Sequence, residues 1–276
     1  MSSFTDLLAL ERVDRDIFTG SCHAGAPLRV FGGHVAAQAL TAAGITVEDT
    51  QRKLDSLHAY FLRPGRTTDP IVYLVDRPRD GRSFTTRRVQ AVQYGVTIFV
   101  LSASFAISED GPEHQPEAPH VPAPDDCPVL DMRWLDAATE DAGGTLIEAR
   151  EIPADAVRDD TDGRFEGGLW VRVQGAMPAD QRVHNCALTY ISDLRLAGAA
   201  LMKHGGYEAN PGMSITSLDH AMWFHRDFRA DEWLLFVHGS PVAGGGRGLN
   251  LGQFFTADGT LVASAVQESL MRRLAD

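Results

Sequence analysis

Three polar residues in the second half of the chain have the side chains that a water-driven hydrolysis would use. Asp193 offers a carboxylate, Ser217 a hydroxyl and Gln267 a primary amide. A carboxylate can take a proton, and hydroxyls and amides can hold a water molecule. Asp193 lies at the edge of the apolar arc of a helical pattern formed by Val183, Cys186, Ala187, Tyr190, Ile191, Leu194 and Ala197. A carboxylate there is partly buried, which is costly unless it is hydrogen-bonded. Ser217 stands in the strand-like run SITSLDHAMWFH, where a period of two groups it with Ile215, Asp219, Ala221 and Trp223. Gln267 shares a strand face with Leu261, Ala263 and Ala265. Taken one at a time, these positions also fit a capping aspartate, a packed serine and a satisfied core glutamine.

More specific motifs are absent. There is no G-x-S-x-G elbow, no H-E-x-x-H and no phosphate loop. The run AGGGRG (243–248) lacks dinucleotide spacing and reads as a turn. Cys22, Cys127 and Cys186 are odd in number and widely spaced, so neither a disulfide framework nor a zinc site is expected. No metal and no cofactor are expected.

The elements that must position these groups come in two similar series. In the first half, a strand is expected over 11–19 and a helix over FGGHVAAQALTAAG (31–44). Strands follow at 54–63, 71–77, 83–93 and 96–107, with turn chemistry at Arg79-Asp80-Gly81 and Tyr94-Gly95. The second half repeats the order: strands at 144–152 and 168–175, a helix over about 180–203, then strands at 214–225, 232–240, 248–255 and 260–273. Letters repeat as well. His58-Ala-Tyr-Phe answers His220-Ala-Met-Trp-Phe, Gly81-Arg82 answers Gly246-Arg247, and Gly95 answers Gly259. Matching order and matching letters argue for a duplicated unit. Between the halves, residues 109–128 hold six of the fourteen prolines and read as an extended connector. The expected division is a first half over 1–108, a linker over 109–142 and a second half over 143–276.

A formal net charge of -12 with only two lysines, Lys53 and Lys203, argues against general nucleic-acid binding. No apolar run is long enough to span a membrane. The opening residues lack the pattern of a secretory leader, so a cytoplasmic setting is expected.

Together the segments VFGGHVAAQAL (30–40), DSLHAYFLRPG (55–65), RDGRSFTTRRVQAVQYGVTIFVLSASF (79–105), EHQ (113–115), YISDL (190–194), SLDHAMWFHR (217–226) and LVASAVQESLMR (261–272) resemble the type II acyl-CoA thioesterases, the TesB-like family, nearly end to end. The resemblance implies an α+β double hotdog, with two antiparallel sheets each wrapped around a long helix. It implies hydrolysis of acyl-CoA to free acid and coenzyme A, with the catalytic group at Asp193, Ser217 and Gln267. Gly32 and Gly33 are candidate amide donors. His34 replaces the family's usual glutamine near the presumed cleft, and His58 is a candidate contributor from the first half. Because the first-half helix has no acid, one site per chain is expected. Association into a homodimer or homotetramer is also expected. Two other readings stay open: a hotdog enoyl-CoA hydratase or dehydratase, which would need a histidine beside the aspartate, and a non-catalytic acyl-CoA binder.

Overall fold

The computed structural model describes residues 3–22, 29–132, 146–161 and 163–273. The first half begins with a short helix α1 (Phe4–Leu7) and the strands β1 (Leu10–Asp14) and β2 (Ile17–Gly20). One strand was expected here; Asp16, at φ 59°, turns the chain and makes a hairpin. Helix α2 (Gly32–Ile45) follows, then β3 (Arg52–Phe61), β4 (Ile71–Asp80), β5 (Phe84–Gln93) and β6 (Val96–Ile107). The second half holds β7 (Ile147–Ile152), α3 (Ala154–Asp160), β8 (Gly167–Val173), α4 (Gln181–Ser192), α5 (Ala199–Met202) and α6 (Gly206–Ala209). It ends with β9 (Met213–Ser217), β10 (Asp219–Phe224), β11 (Leu234–Gly244), β12 (Arg247–Thr256) and β13 (Leu261–Arg273).

Each half curls an antiparallel sheet around one long helix. The two sheets are continuous: β3 pairs with β10, His58 opposite Ala221, so strands run in the order β1-β2-β4-β5-β6-β3-β10-β13-β12-β11-β8-β7. The helices α2 and α4 lie against each other inside this sheet and run antiparallel. Gly33, at the start of α2, meets Tyr190 near the end of α4, while Arg182 at the start of α4 reaches Gly44 and Val47. The alanines of α2 make this closeness possible. Ala36, Ala37, Ala39, Ala42 and Ala43 are all buried, and none adds bulk beyond a methyl group.

The expected helix over about 180–203 is interrupted. Arg195 adopts a left-handed φ of 66°, so α4 stops at Ser192 and Asp193 becomes its C-cap. The stretch from Met213 to Phe224 is likewise broken between β9 and β10.

The proline-rich connector packs against the second half rather than standing free. Trp170 donates its indole N–H to Pro122 O at 2.8 Å, and Gln115 bridges to Gly259 O and Leu261 N. Cys127 joins Trp170, Leu235, Val237 and Phe255 in a second small core on the outside of the sheet. The last expected linker residues, 133–142, and the first two of the strand expected over 144–152 lie outside the described residues. No helix among the described residues is long and apolar enough to cross a membrane.

Candidate active site

Asp193 sits where the end of α4 lies beside the start of α2. As the C-cap of α4 it lies at the partially negative end of its own helix, an unfavourable place for an anion. The start of α2 offsets this. The Gly33 N–H donates to the carboxylate, at the partially positive end of the neighbouring helix. This approach requires glycine. A Cβ on Gly32 would fall 2.6 Å from Asp193 Oδ2, and one on Gly33 would fall 2.4 Å from Tyr190 O.

Gln267 and Ser217 complete the set. Gln267 Nε2 donates to Asp193 Oδ1 at 2.7 Å, and Ser217 Oγ lies 3.5 Å from the same oxygen. The Gln267 side chain is fully buried and its Oε1 has no protein partner. Burial is the largest influence on Asp193 and pushes its pKa up to about 6, against the lowering effect of the three hydrogen bonds. A carboxyl poised there is suited to general-base work near neutral pH.

A β-bulge aims Ser217 at this carboxylate. Strict alternation through SITSLDHAMWFH puts Ser217 on the face opposite His220 and Met222. Yet Ser217 pairs with Ser269 while Met222 pairs with Ala265, so five steps along one strand match four along its partner. The Asp219 side chain fills the gap by accepting the Glu268 N–H at 2.7 Å, and Leu218 N donates to Glu268 O at 2.9 Å. The bulge turns Ser217 to the inner face with Gln267, Ser269, His220 and Met222. Ser192, next to Asp193, bonds the His220 ring at 2.7 Å, and burial drives that imidazole down to about 4, keeping it neutral.

The open space beside Asp193 is a cavity of about 510 Å³. Asp193, Ser217, Gly32, Phe31, Phe61 and Phe99 are among its lining residues, and Arg29 and Arg63 stand on it as well. Among the described residues, Asp193 is the only acid on its wall. Gln267 stays behind the carboxylate, out of the cavity. His34 does not line it; it is buried and bonds Ser21 O through Nε2 at 3.2 Å. His58 does not line it either. Leu57 and Ala59 point inward, so His58 faces outward and lies edge-on to Trp223 with ring centroids 5.2 Å apart. Among the described residues no cluster of three or more histidines, cysteines or acids could hold a metal ion.

Sequence reasoning missed Asp219, Arg29, Arg63 and Phe61. The D-H pair after Ser217 carried a signal, because a strand acid next to a bulge is suited to replace a missing backbone acceptor.

Family models match both halves: one described as the acyl-CoA thioesterase N-terminal domain covers residues 21–106, and one described as acyl-CoA thioesterase covers 150–270. The chain belongs to the acyl-CoA thioesterase family. It is a type II, double-hotdog, TesB-like member and an enzyme of thioester hydrolysis. Among curated relatives, acyl-CoA thioesterase 2 of Haemophilus influenzae is 37% identical over 281 residues, which is 99% of this chain and 98% of that one. The human acyl-coenzyme A thioesterase 8 is 38% identical over 284 residues, covering 97% of this chain and 88% of its own. The crystal structure of the acyl-CoA thioesterase II TesB2 from Mycobacterium marinum superposes with a TM-score of 0.86 at 42% identity, covering 99% of both chains. The thioesterase family therefore accounts for the whole described architecture, from the hairpin β1–β2 to β13.

Proposed function

We propose that this enzyme hydrolyses acyl-CoA by direct water attack, with Asp193 as general base and Ser217 and Gln267 as its positioning partners. The observation that carries the reading is the shared oxygen: Gln267 and Ser217 both converge on Asp193 Oδ1 at the wall of one cavity. In the proposed step, water held by the carboxylate and the Ser217 hydroxyl attacks the thioester carbonyl carbon. Its proton moves to Asp193 and the carbonyl electron pair moves to oxygen. The Gly32 amide, the first in its helix and without an intrahelical acceptor, stabilises the oxyanion. Collapse expels the thiolate, which takes the proton back from Asp193.

Serine is an unsuitable nucleophile here. Among the described residues no histidine lines the cavity, so nothing there activates the hydroxyl. The same observation weighs against a hydratase, which needs that histidine. His184 is turned elsewhere and accepts the Ala230 N–H at 3.1 Å. Arg29 and Arg63 give the cavity rim two cationic groups in an acidic protein. Guanidinium groups suit the phosphates of coenzyme A. Arg63→Glu is expected to raise KM for acyl-CoA while leaving the hydrolysis of an acyl-pantetheine unchanged.

The test is release of free thiol from acyl-CoA by the wild type and by Asp193→Asn. The variant is expected to fold, bind substrate and lose about 10² to 10⁴ in kcat. Full activity in the folded variant would remove Asp193 as the base. Binding without thiol release by the wild type would favour a non-catalytic acyl-CoA binder.

A further inference from the structure

We infer that Ile215 closes the acyl end of the catalytic cavity and sets the longest acyl chain the enzyme takes well. This rests on the thioesterase reading above and names the residue that decides its substrate class. Ile215 is two residues before Ser217 on β9, so the two side chains project to the same side of the strand. It lines the catalytic cavity. It also lines a second and larger cavity of about 890 Å³. Among the described residues, Ile215 alone lines both cavities. The strand that carries it is thin cover: β9 pairs with β13 alone and is off the main path of the sheet.

The second cavity has the chemistry to receive a hydrocarbon tail. Ile152, Leu169, Met202 and the Tyr207 ring line it, and Gly167, Gly168 and Gly198 leave room along its wall. Its charged wall groups include Arg195 and Glu151, which neutralise each other at 2.7 Å. His238 also lines it and is uncharged near neutral pH, because burial draws its pKa down to about 4. A tail that entered would therefore meet no buried cation there. With isoleucine in place, the catalytic cavity ends at its branched side chain. With a smaller residue, the two spaces join and the added methylenes of a longer chain leave water. Each buried methylene is worth about fourfold in affinity.

The experiment measures kcat/KM for saturated acyl-CoAs from butanoyl to octadecanoyl, by thiol release, on wild type, Ile215→Ala, Gly198→Phe and the double variant. Gly198 lies in the second cavity, has an ordinary φ of -87°, and a Cβ there would meet only the Tyr207 ring at 3.6 Å or more. Ile215→Ala is expected to raise the ratio of long-chain to short-chain kcat/KM by at least about tenfold. Gly198→Phe alone is expected to keep the wild-type profile, and the double variant to lose the gain. An unchanged chain-length profile in Ile215→Ala, with short-chain activity intact, would overturn the inference. So would a gain that survives Gly198→Phe. Absence of thiol release by the wild type from every member of the series is a separate result, which would instead remove the thioesterase reading itself.

Discussion

The two places where the start of one long helix lies beside the end of the other are built from duplicated elements and have diverged in opposite directions. At one, the start of α2 faces the end of α4. Its C-cap is an aspartate, its neighbouring helix starts with two glycines, and a cavity opens beside it. At the other, the end of α2 faces the start of α4. The C-cap there is Thr46, and the fully buried Arg87 guanidinium donates to Thr46 Oγ1 at 2.8 Å, to Thr46 O at 3.2 Å and to Asp80 at 2.7 Å. Arg182 then caps the end of α2 by donating to Gly44 O, Val47 O and Asp49 O. One junction leaves a carboxylate buried with few partners and a raised pKa. The other satisfies its helix end with two arginines. The energetic cost of a buried ionisable group is thus confined to one junction, while the other is held by charge-assisted hydrogen bonds.

That contrast is open to breaking by mutation. After loss of Asp193 itself, the largest effect at the open junction is expected from Gln267→Leu, which removes the shortest bond to Asp193 and turns the carboxyl toward its neutral form. A loss of about a hundredfold in kcat at neutral pH is expected, with KM little changed, in a steady-state thiol-release assay. At the locked junction, Arg87→Met leaves Thr46 and Asp80 without their donor. It should cost about 2–3 kcal/mol of stability in urea unfolding and leave kcat within about twofold at temperatures where the protein stays folded. A loss of activity without a loss of stability in Arg87→Met would erase the distinction drawn here. Ser217→Ala is expected to be milder, about tenfold in kcat, because its hydroxyl stands at the longer distance of 3.5 Å.

The smallest effect sharpens the comparison through linkage. The Asp193 pKa rises from 3.8 toward about 6 on folding, so the folded state binds the proton more tightly than the unfolded state. The contribution is fully favourable below the unfolded value and is lost as pH rises through about 6. Above that, the ionised carboxylate costs on the order of 3 kcal/mol. Asp193→Asn should recover part of that at pH 8, seen as a higher urea midpoint, and recover nothing at pH 3, below both values. Equal midpoints of the two proteins at pH 8 would contradict the burial argument.

Much of this was legible in the chain. The alanine-rich helix over 31–44 stands at 32–45, and the matching order of strands gave the duplicated architecture. Strong periodicity and turn residues carry that information locally. The aim of Ser217 was not legible. Alternation alone put it on the wrong face, and only the pairing with β13 reveals the bulge at Leu218-Asp219 that turns it inward. His58 shows the same limit in reverse: its letters echo His220, yet His58 faces outward while His220 is buried against Ser192. The end of α4 was also placed too late, because the left-handed turn at Arg195 carries no glycine to announce it. Each of these depends on contacts between distant segments, which residue type and spacing do not encode.

The most direct measurement of the central claim is the pH dependence of kcat/KM for the wild type with one acyl-CoA, which reports the free enzyme's essential groups. A base at Asp193 predicts activity that rises with pH through an apparent pKa of about 6 and is level above it. A profile that stays flat between about pH 5 and pH 8 would mean that a group outside this carboxylate's range takes the water's proton.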